Sequence, residues 1–176
     1  MHPSQLSIEK LEQQCSWGFS RASGPGGQHR NKVETAATIE HLPSGIRASA
    51  TEERSQPRNR QVAMHRLRLA LAVELDEAIE DAAQGTSSTE QPRSELWRRY
   101  CRSGKIRIAD DNEHLPALLV EVFQTLVGCD YNLSKASAQL GTSATQLVRL
   151  LAVYPPALKR LNKNLAARGF SPRTAN

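Results

Sequence analysis

Three glycines and a proline fall within Ser23-Gly24-Pro25-Gly26-Gly27-Gln28-His29, and no regular helix or strand can run through such a stretch. The N-terminal half of the chain has to be built around this break. On one side, Trp17-Gly18-Phe19-Ser20-Arg21 alternates in the manner of a short strand. On the other, Asn31 can cap a short helix through Ala37, and alternation resumes from Thr38 to Leu42. Pro43-Ser44-Gly45 marks a turn. Beyond it Ile46, Ala48 and Ala50 point one way and Arg47, Ser49 and Thr51 the other, which predicts a hairpin with one wet face.

The rest of the chain reads as helices. Ser7 is a candidate N-cap, with Glu9 in the first turn where the helix dipole favours an acid. Gln56-Pro57 opens a longer helix, along which Met64, Leu67, Leu71, Leu75 and Ile79 repeat at three- and four-residue spacing. Arg58, Arg60, Arg66 and Arg68 lie off that stripe. Gly85–Thr89 is rich in Gly, Ser and Thr and reads as a linker. A basic segment with Trp97 and Tyr100 follows, then an apolar helix over Leu115–Val127. Ser134–Leu140, the turn Gly141-Thr142-Ser143, and Ala144–Val153 have the spacing of a helix-turn-helix. Pro155-Pro156 starts a last helix through Ala167, which Gly169 ends.

Charge is segregated along the chain. Between Trp17 and Ala70, nine bases face four acids; between Leu71 and Leu96, seven acids face Arg93 alone; from Asn132 to Asn176 there are seven bases and no acid. Two basic surfaces around an acidic middle point to a polyanionic partner. Aromatic residues make up only 5% of the chain, which argues against recognition by an aromatic base-stacking platform. There is no apolar run of membrane-spanning length, and the start of the chain lacks the basic and apolar stretches of a secretory signal. Cys15, Cys101 and Cys129 have no metal-ligand spacing and read as reduced thiols, so a cytoplasmic protein without membrane, metal or cofactor is expected.

The Gly-rich segment is the candidate chemical site. Its glycines permit positive φ and close approach to a partner, and adjacent amide N–H groups in such a loop can converge on one oxygen. Gln28 offers a donor and an acceptor and never ionises. His29, Arg30 and Lys32 follow directly and can hold phosphates. A phosphate-binding loop is the competing reading, but neither GxxxxGK[ST] nor GxGxxG is matched.

Several blocks in this half, in order, resemble the catalytic domain of class I peptide chain release factors. They are Arg21-Ala22-Ser23-Gly24-Pro25-Gly26-Gly27-Gln28-His29, Asn31-Lys32, Glu34-Thr35-Ala36, His41-Leu42-Pro43-Ser44-Gly45-Ile46, Glu53-Arg54-Ser55-Gln56 and Asn59-Arg60. The resemblance covers about a third of the chain, from Ser20 to about Leu71. It implies an α+β protein, with a β-α-β-β-α domain that enters the peptidyl transferase centre and hydrolyses the ester bond of peptidyl-tRNA. Gly26 and Gly27 would shape the loop, and the backbone N–H of Gln28 would stabilise transition-state charge. The Gln28 side chain would position water and exclude larger nucleophiles. Arg21, His29, Arg30, Lys32, Arg54, Arg58 and Arg60 are the expected RNA contacts of this region. Lys159, Arg160 and Lys163 are the expected RNA contacts of the C-terminal helices.

Full-length members of the family read stop codons with a domain placed before the catalytic one, whereas fewer than thirty residues precede Gln28 here. The chain is in this respect similar to short ribosome-rescue peptidyl-tRNA hydrolases, and codon-independent release by a monomer acting on the large-subunit rRNA and peptidyl-tRNA is expected. Expected boundaries are residues 1–84 for the catalytic domain, 85–112 for a linker and basic segment, and 113–176 for an all-helical, helix-turn-helix-like region. Two other readings stay open: a nucleic-acid-binding regulator acting through the C-terminal helices, and a termination factor that needs a codon-reading partner.

Overall fold

A computed structural model describes residues 2–21, 35–75 and 93–175. The chain divides into two compact units, Met1–Leu71 and Ala72–Asn176. The described residues mix helices with small antiparallel sheets, in keeping with an α+β protein.

In the first unit a 3-10 turn, Pro3–Gln5, leads into helix α1, Ile8–Glu12, whose N-cap Ser7 accepts from the Lys10 N–H. A three-stranded antiparallel sheet follows in the order β1 (Cys15–Ser20), β2 (Ala36–His41), β3 (Ile46–Ala50). Its register pairs Trp17 with Ile39 and Ile39 with Ala48, so these three share a face. Helix α2, Gln56–Ala70, lies against β2 and β3 and contributes Ala63, Met64 and Leu67 to the core with Leu11, Ala37, Ile39 and Ala50. The opposite face carries Gly18, Thr38, Ser49, Glu40 and Arg47, and the last two form an ion pair at 2.9 Å. A wider π turn over Leu71–Leu75 continues from α2.

One expectation is corrected: Ala36 and Ala37 belong to β2 and not to a helix, because cross-strand pairing with β1 and β3 takes their backbone groups and both side chains are buried there. Residues 31–34 of that expected helix lie outside the described residues. Arg68, which lies off the apolar stripe in the sequence, is nevertheless buried, and its Nε donates to the Ser4 carbonyl at 3.1 Å.

The β2–β3 turn shows why its residues are what they are. Gly45 has φ of +70°, a conformation that costs glycine little, and its N–H reaches the His41 carbonyl at 2.8 Å. His41 is nearly fully buried; its Nδ1 lies 2.7 Å from Ser44 Oγ and its Nε2 lies 3.1 Å from Gln14 Oε1. Since Gln14 Oε1 can only accept, Nε2 carries the proton and Ser44 donates to Nδ1, which is the neutral imidazole. Burial, aided by the charge of His2, holds the His41 pKa below the usual histidine value.

In the second unit, helix α3 (Glu95–Tyr100) runs into a two-residue hairpin, β4 (Cys101–Arg102) and β5 (Lys105–Ile106). This segment, which the sequence assigns with the linker, is packed into the unit. Trp97 is buried and donates through Nε1 to the Leu140 carbonyl at 2.8 Å, and the Thr142 hydroxyl donates to the Gly104 carbonyl at 2.7 Å. Four helices follow: α4 (Leu115–Gly128), α5 (Leu133–Gln139), α6 (Ala144–Ala152) and α7 (Pro155–Ala167). Leu118, Leu119, Phe123, Leu147, Leu151 and Leu161 form their core. Between α4 and α5 the chain turns through two residues at positive φ, Asp130 and Tyr131. Arg168 fastens them, pairing with Asp130 at 2.7 Å and stacking 4.6 Å above the Tyr131 ring.

Candidate catalytic and RNA-contact site

The Gly-rich segment joins two strands that are neighbours in the sheet. The β1–β2 ladder ends on the pair Ser20 and Ala36, so the chain leaves the sheet at Arg21 and re-enters it at Thr35 within one inter-strand spacing. Gly26, Gly27, Gln28, His29, Arg30 and Lys32 lie outside the described residues. What the structure shows is the frame that carries them.

The re-entry point is held by one buried side chain. Asn59, on the first turns of α2, has no exposed surface. Its Nδ2 donates to the Thr35 carbonyl at 2.6 Å and to the Glu53 carbonyl at 2.9 Å, while its Oδ1 accepts from the Glu53 N–H at 3.0 Å. The amide thus ties three stretches that are separate in sequence: the end of the Gly-rich segment, the turn over residues 51–55, and α2. These are the stretches that carry Glu34-Thr35-Ala36, Glu53-Arg54-Ser55-Gln56 and Asn59-Arg60. Removing one partner of such a buried set costs about 1–3 kcal/mol for each group left unpaired. Arg66 braces the same turn from further along α2, donating to the Ser49 carbonyl at 2.7 Å and to Glu52 at 2.6 Å. The Arg66 guanidinium lowers the Glu52 pKa below its ordinary value.

The other side of the frame is aromatic. Trp17 and Phe19 of β1 stack in parallel with ring centroids 6.0 Å apart. The Arg60 guanidinium lies 4.7 Å over Trp17 and 5.8 Å from Phe19, and it also pairs with Glu12 of α1 at 3.3 Å. Arg60 therefore has a structural post between α1, β1 and α2 in addition to its part-exposed surface.

The remaining candidate RNA contacts fall into three groups. Arg21, Arg54 and Arg58 are exposed, and the nearest acid to Arg58 is Glu53 at 3.8 Å. Lys159 and Lys163 are exposed one helical turn apart on α7. Arg160 is withdrawn from the set. It is 3% exposed, its guanidinium lies 4.0 Å over the Phe123 ring, and it donates to the Val73 carbonyl at 2.6 Å. That side chain is committed to the interior of its unit and has no face left for a phosphate.

Sequence reading missed Asn59 as a clamp and the Trp17–Phe19–Arg60 stack. A polar residue at position 59 gives no sign of burial, because its partners lie 24 and 6 residues away. Alternation in β1 was the only local signal for the stack. Among the described residues no group of three His, Cys, Asp or Glu side chains is placed to hold a metal ion, and no helix is long and apolar enough to cross a membrane.

Comparison with known proteins gives the family. The RF-1 domain family model matches residues 4–111, which takes in the whole frame just described, and the chain belongs to that family. Among curated relatives it is similar to the chloroplastic peptide chain release factor PrfB1 of Arabidopsis thaliana, with 46% identity over 72 residues, or 41% of this chain and 16% of the relative. It is also similar to peptide chain release factor 1 of Kineococcus radiotolerans, with 44% identity over 93 residues, covering 51% of this chain and 26% of the relative. Peptide chain release factor 2 of Helicobacter pylori is 36% identical over 99 residues, covering 56% and 26% respectively. The chain thus spans a minor part of the length of each of these relatives.

Proposed function

We propose that this protein releases the nascent peptide by hydrolysing the ester bond of peptidyl-tRNA on the ribosome. The observation that carries the reading is the ordered set of release-factor blocks within a matched RF-1 domain, with Gly26-Gly27-Gln28 borne on a segment strung between two paired strands. In this proposal Gly26 and Gly27 give the segment its shape, and the Gln28 N–H stabilises charge developing on the reacting oxygens. The Gln28 side chain orients the attacking water. No titrating base is needed, since positioning and preorganised dipoles supply the acceleration. Arg21, His29, Arg30, Lys32, Arg54 and Arg58, with the open edge of Arg60, are the proposed contacts to large-subunit rRNA and tRNA phosphates; Lys159 and Lys163 are those of the C-terminal unit. The finer form of the proposal is release independent of the codon in the A site.

The test is peptide release from ribosomes that carry peptidyl-tRNA and an empty A site. Gln28→Ala and Gly27→Ala are each expected to slow release by about 10²–10³-fold, the usual cost of a lost oxyanion donor, with ribosome binding retained. Wild-type protein that binds such ribosomes and releases nothing would overturn the reading. Release that appears only with one A-site codon would overturn its codon-independent form.

A further inference from the structure

From the hydrogen bonds of one buried side chain, and resting on the hydrolase reading above, we infer that Asn59 is a positioning residue for the release step. It sets where the segment bearing Gln28 rejoins the sheet. Three observations carry this. Asn59 is fully buried, so its amide is not a surface contact. Its Nδ2 meets the carbonyl of Thr35, the first described residue after the Gly-rich segment, at 2.6 Å. Its remaining donor and its acceptor take both backbone groups of Glu53, at 2.9 and 3.0 Å, leaving the amide one orientation. The side chain therefore fixes the re-entry residue, Thr35, against the turn that presents Arg54. Thr35 has a strand partner on neither side, since the β1–β2 pairing begins at Ala36. The clamp is thus the contact that carries the sheet's order past the end of its ladder. A displacement of about 1 Å at a reacting group can cost on the order of 10²-fold in rate without weakening binding.

The test is single-turnover peptide release by the full chain at saturating protein, with ribosome affinity and thermal unfolding measured alongside. The panel is wild type, Gln28→Ala, Asn59→Asp, Asn59→Ala and Arg66→Ala, the last breaking a different brace of the same turn. Both Asn59 variants are expected to lose on the order of 10²-fold in the release rate while affinity for the ribosome stays within about threefold, well under that loss. Arg66→Ala is expected to lower the unfolding temperature and leave the release rate near wild type. In Asn59→Asp the carboxylate faces two carbonyls, so release relative to wild type at the same pH is expected to recover on acidification, as the protonated acid regains a donor for Thr35. That recovery decides the matter if Asn59→Ala fails to fold. Asn59 variants that release at the wild-type rate, that lose activity only through affinity, or that show no recovery at low pH in Asn59→Asp would overturn the inference. If Gln28→Ala releases peptide like wild type, the hydrolase reading itself falls, which is a separate result.

Discussion

At the scale of single residues, the basic character of this chain divides into working charge and structural charge. Arg68, Arg160 and Arg66 spend their guanidinium donors on backbone carbonyls of Ser4, Val73 and Ser49. His41 is the clearest case of a titratable group held in one state. Its pKa is lowered, so the folded protein binds its proton less readily than the unfolded chain does. The stability this contributes is complete above the unfolded value of 6.5 and is lost as pH falls from there through the lower folded value. Wild-type protein is accordingly expected to lose stability to denaturant below about pH 6.5, and His41→Gln, which cannot charge, is expected to flatten that part of the profile. A profile with the same slope in both proteins would show that His41 is not the group responsible.

Among the elements, most of the pattern is legible in the sequence. The alternation in β1 and β3, the turn at Pro43-Ser44-Gly45 and the helices after Pro57, Leu115 and Pro155 all follow from local period and punctuation. The misreadings share a physical cause. Ala36-Ala37 has high helix propensity, but the partners that decide its state lie across the sheet in β1 and β3. Asn59 and Arg68 look like solvent residues of an amphipathic helix until Thr35, Glu53 and Ser4 are brought to them by the fold. In the turn between α5 and α6, Gly141 sits at φ +65°, and a Cβ there would clash with the Arg93 guanidinium. The side chain of Arg93 can swing aside, but the backbone conformation cannot be relieved. Gly141→Ala is expected to cost about 1–2 kcal/mol, seen as a lower denaturation midpoint for the second unit; unchanged stability would mean that the turn relaxes to negative φ.

For the whole molecule, the Asn132–Asn176 region carries seven bases and no acid in sequence, yet the fold leaves fewer of them for a partner. Arg160 is internal and Arg168 is matched by Asp130. Lys159 and Lys163 remain exposed on one face of α7. If they contact RNA phosphates, affinity for the ribosome should fall steeply with salt, and replacing both by Ala should reduce the slope of log affinity against log salt by about 2, roughly one per contact. A slope left unchanged would place the second unit's contacts elsewhere. The family was readable from the ordered blocks around Gln28, which lie within the matched RF-1 domain. The clamp that ties several of those blocks was not, because it is written in pairings 24 residues apart.

The pairing of Ser20 with Ala36 has a consequence for how this chain can change over generations. Both ends of the Gly-rich segment are pinned to the sheet, so residues gained or lost between them leave the ladder intact. Doubling a closed loop costs only about 0.6 kcal/mol. A one-residue slip of β1 against β2 instead turns Trp17 and Phe19 to the opposite face and strips Arg60 of its stack. Drift in the segment is therefore nearly invisible to folding, and selection can police it only through the proposed activity. Drift in the strands is purged before activity is ever tested.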